Sequence, residues 1–277
     1  MGLFSIFRQK NTLYYPGCYT FYKYPEFFEN YKRIFNRLDI DFKIIDKQVC
    51  CGLPAYEAGY ETESRKVARR NLEIFKEEKI DSIITNSPCC QKMFMQEYPK
   101  ILPDWNLKVK NIWEIILEKL KNKEFLIKNK SEDILTYSDS CHLGRYCGIY
   151  NEPREILSLL GFQVKEMQNT KEEAFCSGSC GNLPLINPEL ADEIAKEKLL
   201  QAKRIGVKKI VVASIEEYHL LKKNSKEIGI EVLELGEVLA LALGLKKEEK
   251  IPEQEKFEEK EDIFSNIEDK DLIEEEE

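Results

Sequence analysis

The sequence contains no apolar run long enough to cross a membrane. Its longest run, residues 238–245, is far short of the roughly 20 residues that a transmembrane helix needs. The opening stretch, MGLFSIFRQK, has too few apolar residues before Arg8 for a secretory signal peptide. Ile6 stands where a myristoylation signal requires Ser or Thr. We therefore expect a cytoplasmic protein with no integral membrane segment.

A basic excess, which nucleic-acid binding requires, is also absent. The net charge is −8, and residues 246–277 alone carry 15 acidic and 6 basic side chains. Nucleic acid is therefore a poor partner. Because few apolar residues interrupt this segment, we expect it to be a disordered acidic tail. Its spaced apolar residues, among them Phe257 and Ile263, leave open a tail-mediated contact with another protein.

Nucleotide-binding loops and serine triads are missing as well: GLPAYEAG and GSCGN lack the glycine spacing and the strand-to-helix context that such loops need. What the chain has instead is nine cysteines, beside only two histidines. An odd number of cysteines cannot pair completely into disulfides within one chain. In an intracellular protein, clustered thiols are more often metal ligands or catalytic groups than disulfides. The composition therefore favours metal binding.

Short β-branched runs alternate with amphipathic helical segments along the chain. In YPEFFENYKRIFNRL, apolar residues recur every three or four positions, which indicates a helix. The strands predicted in the first half are NTLYYPG, DFKIID, DSIITNS and NLKVKN. Strands that alternate with crossover helices predict mainly parallel sheets covered on both faces. The expected fold class is α/β.

The same order of elements recurs in the second half, with strands predicted at DILTYSDSC, FQVKEM, KIVVAS and EVLEL. Three pairs of landmarks keep nearly the same offset: Cys18 and Cys141 lie 123 residues apart, Cys50 and Cys176 lie 126 apart, and Val109 and Val232 lie 123 apart. We infer two tandem repeats. The expected boundaries are 1–122 for the first repeat, 123–132 for a linker, 133–245 for the second repeat and 246–277 for the acidic tail.

Cysteines cluster near the carboxyl ends of the strands predicted in the first repeat: Cys18, Cys50, Cys51, Cys89 and Cys90. In a parallel sheet, the loops beyond these ends converge on one crevice, so thiols distant in sequence can meet there. Thiolates suit iron–sulfur clusters and zinc. Adjacent cysteines are awkward ligands for one tetrahedral ion, for which C-x2-C is the usual spacing. The doublets therefore favour an iron–sulfur cluster, with zinc as the alternative.

These motifs resemble a known family. One cysteine, 31 residues, CCG, 34 residues and then SPCC is a pattern similar to that of the cysteine-rich CCG domain. That domain occurs, typically in tandem, in the B-type and D-type subunits of heterodisulfide reductase, in the iron–sulfur subunit of glycolate oxidase and in lactate-utilisation proteins. SCHLGRYCGIYNEPREIL is similar to a segment of the family's second repeat. The resemblance covers about residues 11–245.

The resemblance implies a ligand set in the first repeat. Cys18, Cys50, Cys51 and Cys90 match the family's ligands to a non-cubane [4Fe-4S] cluster. Ser87 replaces the first cysteine of the family's CPxC motif, while the variable position of that motif holds Cys89. Cys89 can substitute for the lost ligand, or the cluster can keep one iron open or oxygen-ligated.

The second repeat departs further from the family. Cys141 and Cys176 match, but Ser177 replaces the second cysteine of the doublet, and the closing motif aligns with residues 215–218, which contain no sulfur. Cys147 and Cys180 are additional. A second site for a cubane cluster or zinc is one interpretation, and a degenerate repeat with unliganded cysteines is the other; the site would comprise Cys141, Cys147, Cys176 and Cys180.

The resemblance implies an iron–sulfur redox subunit similar to the B-type subunit of heterodisulfide reductase, which passes electrons through its cluster to a thiol or disulfide substrate or to another carrier. The chain lacks the C-x2-C-x2-C run of a ferredoxin. A ferredoxin-type or flavin-containing subunit is therefore the expected electron partner. A zinc-bound or metal-free assembly module is the alternative function.

Four charged or titratable residues have open roles. His142 can relay a proton or serve structure, and Arg145 and Arg154 can bind an anion or form ion pairs. His219 lies on a lysine-rich helix, and we expect it to be solvated.

Overall fold

A computed structural model of the chain describes residues 11–45 and 50–245. The predictions for the first ten residues and for the acidic tail at 246–277 lie outside these ranges. In the first half, the strands are β1 (Thr12–Tyr14), β2 (Ser82–Thr85) and β3 (Lys108–Asn111). The helices are α1 (Pro25–Arg37), α2 (Leu53–Glu57), α3 (Glu61–Glu77), α4 (Pro88–Lys92), α5 (Tyr98–Ile101) and α6 (Ile112–Asn122).

The second half repeats this alternation. Its strands are β4 (Ile134–Ser138), β5 (Gln163–Val164), β6 (Lys209–Val212) and β7 (Glu231–Glu234). Its helices are α7 (Asn151–Leu159), α8 (Leu183–Ile186), α9 (Pro188–Arg204), α10 (Ile215–Ile228) and α11 (Leu235–Ala242). Short π-helical segments occur at Tyr19–Lys23, Met93–Glu97 and His142–Tyr146, and 3₁₀ turns at Glu124–Leu126 and Lys171–Glu173.

Both sheets are parallel. The first has the order β1-β2-β3, and the second has the order β5-β4-β6-β7. The predicted strand DFKIID is reduced, within the described residues, to one parallel bridge between Lys43 and Leu13. This bridge corresponds to β5 because it borders β1 as β5 borders β4. The α/β class with two parallel repeats is confirmed.

The register of the two sheets supports the duplication. Tyr14 pairs with Ile84 in the first sheet, and Tyr137 pairs with Val211 in the second. Helix caps recur at matching places: Ser87 accepts a hydrogen bond from an N–H in the first turn of α4, and Ser214 does the same for α10. The two halves are therefore built on the same plan down to individual side chains.

One hydrophobic core joins the halves. It contains Trp113 and Tyr31 from the first half and Tyr137 and Leu239 from the second, each less than 2 % exposed. Tyr31 also donates a 2.6 Å hydrogen bond to the buried carboxylate of Glu234. Burial of such aromatic side chains is a major source of packing energy. The repeats are thus docked through apolar surface, which fixes their loops relative to each other.

The segment 123–132 runs between the halves and contacts both. Lys123 pairs with Asp39 of the first half, and the N–H groups of Lys128 and Asn129 donate to the carbonyl of Ala242 at 2.8 and 3.0 Å. The predicted boundaries of repeats and linker stay predictions. Among the described residues, no helix has both the length and the apolar character that crossing a bilayer requires.

Candidate functional site

The loop after β1 reaches the loop after β2 because residue 17 is a glycine. Gly17 has φ +78°, and a Cβ on it would lie 2.8 Å from Cβ of Ser87 and 3.3 Å from Sγ of Cys90. Real side chains are not accommodated at such distances. Because glycine has no side chain, the backbone at residue 17 can pass close to Ser87 and Cys90.

The doublet Cys50–Cys51 lies in a loop that several hydrogen bonds hold. Gly52 has φ +86°, which favours glycine, and its N–H donates to Sγ of Cys50 at 3.4 Å. The side-chain amide of Asn71 donates to the carbonyl of Cys50 at 2.9 Å, and the Tyr98 hydroxyl to that of Cys51 at 3.1 Å. The backbone of the doublet is thus fixed from α3 and α5.

Four thiols meet at this crevice. Cys18 hydrogen-bonds to Cys50, Cys50 to Cys51, and Cys51 to Cys90. Cys18, Cys50 and Cys51 come from two loops and Cys90 from the first turn of α4, and both Cys18 and Cys90 follow the carboxyl end of a parallel strand. We call this set, which consists of Cys18, Cys50, Cys51 and Cys90, the first thiol group.

Within the first thiol group, negative charge is favoured on Cys50 over Cys18 and Cys51. Hydrogen bonds from Cys18 and Cys51 lower the pKa of Cys50 well below its ordinary value. The hydrogen bond to Cys50 raises the pKa of Cys18, and hydrogen bonds to Cys50 and Cys90 raise the pKa of Cys51. Close thiols that share charge in this way need a cation to ionise together. The donor set fits an iron–sulfur cluster or zinc, since both are bound by thiolates.

Cys89 faces away from the first thiol group. Neighbours on a helix are rotated by about 100°, and on α4 the thiol of Cys90 lies in the first group while that of Cys89 contacts Cys180. Sγ of Cys89 also lies 3.5 Å from Nδ1 of His142. The suggestion that Cys89 replaces the ligand lost at Ser87 stays a prediction.

A second group of sulfurs therefore lies between the repeats. Sγ of Cys141 is 3.3 Å from Sγ of Cys180, and Nδ1 of His142 is 3.1 Å from Sγ of Cys180. Cys176 hydrogen-bonds to Cys141. We call this set, which consists of Cys89, Cys141, His142, Cys176 and Cys180, the junction group. Cys147 is outside it and packs against the hydrophobic core.

The pKa values of the junction group respond to burial and to one another. A hydrogen bond with Cys180 lowers the pKa of Cys89, but burial and the nearby carboxylate of Glu216 outweigh it and raise this pKa to about 12. Burial disfavours charge on His142, yet hydrogen bonds to Cys141, Cys180 and Glu57 raise its pKa well above the ordinary value. In the absence of a metal, the group thus retains protons.

The second repeat lacks a counterpart of the first thiol group. Ser214 caps α10 as Ser87 caps α4. The residues equivalent to the family's CPxC motif are therefore 214–217 in the structure, one position before the residues 215–218 that the sequence alignment gives. Glu217 therefore occupies the position of Cys90. Ser138 donates to its carboxylate at 2.5 Å, and burial raises its pKa to about 7 although the ammonium of Lys198 opposes this.

Three of the residues with open roles have structural contacts. Arg154 forms a bidentate pair with Asp139, with both N–O distances 2.7 Å, and also contacts Glu166. Arg145 donates to the carbonyl oxygens of Glu172 and Ala174. The solvated state expected for His219 is wrong, because its Nδ1 lies 2.7 Å from the Tyr24 hydroxyl.

Glu57 and Lys92 were missed by sequence reasoning. Oε1 of Glu57 lies 3.2 Å from Nε2 of His142 and 2.8 Å from Nζ of Lys92. Burial opposes the shift, but these two partners lower the pKa of Glu57 to about 2. No spacing in the sequence signals this contact, because it joins α2 and α4 to a loop of the other repeat.

Several known proteins are similar to this chain in sequence. One relative is the D-type subunit of dihydromethanophenazine:CoB--CoM heterodisulfide reductase of Methanosarcina acetivorans. The two sequences are 26 % identical over 248 residues, and this alignment covers 86 % of this chain and 60 % of that protein. The B-type subunit of fumarate reductase (CoM/CoB) of Methanothermobacter marburgensis is 28 % identical over 234 residues, 83 % of this chain and 46 % of that protein. EtfAB:quinone oxidoreductase of Syntrophomonas wolfei is 32 % identical over 198 residues, 70 % of this chain and 27 % of that protein.

The chain thus spans less than two thirds of the length of these relatives. The sequence profile of the CCG cysteine-rich domain matches residues 12–95 and again residues 135–216, together more than half of the chain. The two matched segments contain all nine cysteines of the chain. The chain belongs to the CCG cysteine-rich domain family.

Proposed function

We propose that this chain is an iron–sulfur redox subunit whose first repeat holds a [4Fe-4S] cluster of the non-cubane type. The ligands are the first thiol group: Cys18, Cys50, Cys51 and Cys90. The observation that carries the proposal is the chain of contacts among these thiols, which two loops and the first turn of α4 contribute. A bound cluster supplies one-electron transfer.

The surrounding residues keep the sulfurs in place. The N–H of Gly52 points to Sγ of Cys50, and Asn71 and Tyr98 hold the carbonyls of the doublet. Hydrogen bonds to ligand sulfurs tune the reduction potential of a cluster. Cys51 and Cys90 are buried, whereas Cys18 is exposed. Electrons therefore enter or leave on the side of Cys18.

A simple electron relay fits the structure better than disulfide reduction by both repeats. Glu217 and Ser177 occupy second-repeat positions that hold Cys90 and Cys51 in the first. The second repeat therefore lacks an equivalent ligand set. A thiol or disulfide substrate at the first cluster remains compatible with this arrangement, since one relative is named as part of a heterodisulfide reductase.

The electron partner is a separate subunit of ferredoxin or flavin type. Two of the relatives are named as subunits, and one is named for a partner, EtfAB. Clustered cysteines that bind metal instead of pairing into disulfides suit a reducing compartment. We therefore place the protein in the cytoplasm.

Replacement of one buried ligand tests the proposal. After anaerobic reconstitution with iron and sulfide, we expect Cys51→Ala to retain less than half of the iron of the parent protein and to lose its visible cluster spectrum. Cys147→Ser is the matched control, because Cys147 packs against the core outside both thiol groups. A Cys51→Ala protein with an unchanged spectrum contradicts the ligand assignment.

The wild-type protein separates the proposed function from the alternative. A zinc-bound or metal-free assembly module binds less than one iron per chain after the same treatment. That result would reject the redox function whatever the zinc content.

A further inference from the structure

We propose a second, mononuclear metal site at the junction of the repeats, ligated by Sγ of Cys89, Cys141 and Cys180 and by Nδ1 of His142. It takes zinc or a similar divalent ion of borderline softness. It differs from the four-sulfur site suggested by sequence, because it includes a histidine and a cysteine of the first repeat and excludes Cys147 and Cys176. It does not depend on the cluster in the first thiol group.

The spacing of the donor atoms fits one tetrahedral ion. With Zn–S bonds of about 2.3 Å and a Zn–N bond of about 2.0 Å, tetrahedral geometry places two sulfurs about 3.8 Å apart and a sulfur and a nitrogen about 3.5 Å apart. The observed separation of Cys141 and Cys180 is 3.3 Å, and Nδ1 of His142 lies 3.1, 3.5 and 3.8 Å from Cys180, Cys89 and Cys141. Small side-chain movements bring the donor atoms of Cys141, His142 and Cys180, which all lie within 4.8 Å of one another, to the ideal values; Cys89 lies outside this close trio and has to move further to complete the tetrahedron.

Cys89 is a better fourth ligand than Cys176. The donor atoms of Cys141, His142 and Cys180 all lie within 4.8 Å of one another. Cys89 contacts two members of this trio, namely Cys180 and His142. Cys176 contacts Cys141 and is exposed. The set with Cys89 is therefore the more enclosed.

Glu57 orients the histidine for metal binding. Its Oε1 accepts from Nε2 of His142 at 3.2 Å, which leaves Nδ1 as the nitrogen that faces the sulfurs. Lys92 donates to the same oxygen at 2.8 Å and holds the carboxylate in position. A carboxylate behind a histidine ligand is a recurrent support of zinc sites. Glu57 is thus a positioning residue, not a ligand.

The arrangement indicates a structural role. Four protein ligands leave no open coordination position, which is typical of structural zinc. Cys89 belongs to the first repeat, whereas Cys141, His142 and Cys180 belong to the second. His142 itself is only 2 % exposed. A bound ion therefore links the repeats and holds the loop that carries Cys180 against α4.

Zinc content and zinc X-ray absorption on the full chain, with its cluster reconstituted, test the proposal. We expect about one zinc per chain, with three sulfurs and one nitrogen in its coordination shell. Cys180→Ser and His142→Ala should each lower zinc affinity at least about tenfold, and Glu57→Gln should lower it about 10- to 100-fold. Cys147→Ser should leave it unchanged.

Separate variants distinguish this site from the cluster. We expect Cys51→Ala to lose iron but to keep zinc, and Cys180→Ser to lose zinc but to keep iron. If Cys176→Ser lowers zinc affinity and Cys89→Ser does not, the proposed ligand set is wrong. A shell of four sulfurs, or zinc that is lost in Cys51→Ala and kept in Cys180→Ser, also rejects the site. A protein that binds zinc in this way but no iron would reject only the proposed function.

Discussion

Glu234 lies where the two repeats dock, and its ionisation should make stability fall as the pH rises. Burial raises the pKa of this carboxyl from its ordinary value of 4.5 to about 7, although hydrogen bonds from Tyr31 and from the N–H groups of Gly236 and Glu237 oppose the shift. Between these two values the folded state binds more protons than the unfolded state. The free energy of unfolding from this group therefore decreases as the pH rises from about 4.5 to about 7.

The size of the effect follows from the shift. A difference of about 2.5 pH units corresponds to about 3 kcal/mol. Glu234→Gln removes the titration and keeps the three neighbours satisfied, because the amide carbonyl can accept from the N–H groups of Gly236 and Glu237, and the Tyr31 hydroxyl can accept from the amide. As the pH rises from about 4.5 to about 7, the free energy of unfolding of the variant should increase by about 3 kcal/mol relative to that of the wild type. This change does not depend on how stable the variant is at the acid end.

Urea unfolding at several pH values measures this difference. Glu77→Gln is the control, since Glu77 is an exposed residue at the end of α3. The control should follow the wild type at every pH. If Glu234→Gln and the wild type differ by the same free energy at both ends of the window, the buried, proton-binding state assigned to Glu234 is incorrect.

Two further substitutions test local parts of the structure. Gly52→Ala and Gly59→Ala should each cost about 1–2 kcal/mol of stability, because both positions have φ near +85°. Only Gly52→Ala should also lower iron retention, measured after gel filtration, because a backbone shift at residue 52 moves the N–H that donates to Cys50 of the first thiol group; equal iron loss in both would contradict this. Arg154→Ala should cost about 3 kcal/mol in urea unfolding by leaving the carboxylate of Asp139 buried and unpaired. Arg154→Lys should restore only part of this, because one ammonium cannot replace the bidentate contact; full recovery would contradict the importance of that geometry.

Much of the fold could be predicted from the sequence because its signals are local. Alternation of β-branched runs with helical periodicity predicted the strands, and the 123-residue offset between Cys18 and Cys141 predicted the duplication. The meeting of loops at strand ends follows from parallel topology alone. For the strand expected at DFKIID, the described residues include backbone hydrogen bonds between Lys43 and β1, and the extent of this strand stays a prediction.

The junction group could not be predicted because it depends on how the repeats dock. Which thiol of the pair Cys89–Cys90 faces which site is decided by where α4 begins, and Ser87 sets that point as its cap. The contact of Glu57 with His142 joins residues 85 positions apart across the two repeats. The equivalence of Glu217 and Cys90 follows from the matching helix caps, which the sequence alone does not show. Tertiary packing, not spacing, carries this information.

Iron and acid-labile sulfide content of the wild-type chain, after anaerobic reconstitution and removal of unbound metal, tests the central claim most directly. The proposed cluster in the first thiol group predicts about four iron and about four sulfide per chain. The same values are expected when Cys141, Cys176 and Cys180 are all replaced by serine, because the first repeat alone supplies the cluster ligands. Less than one iron per wild-type chain, or loss of the iron in that triple variant, would contradict the account.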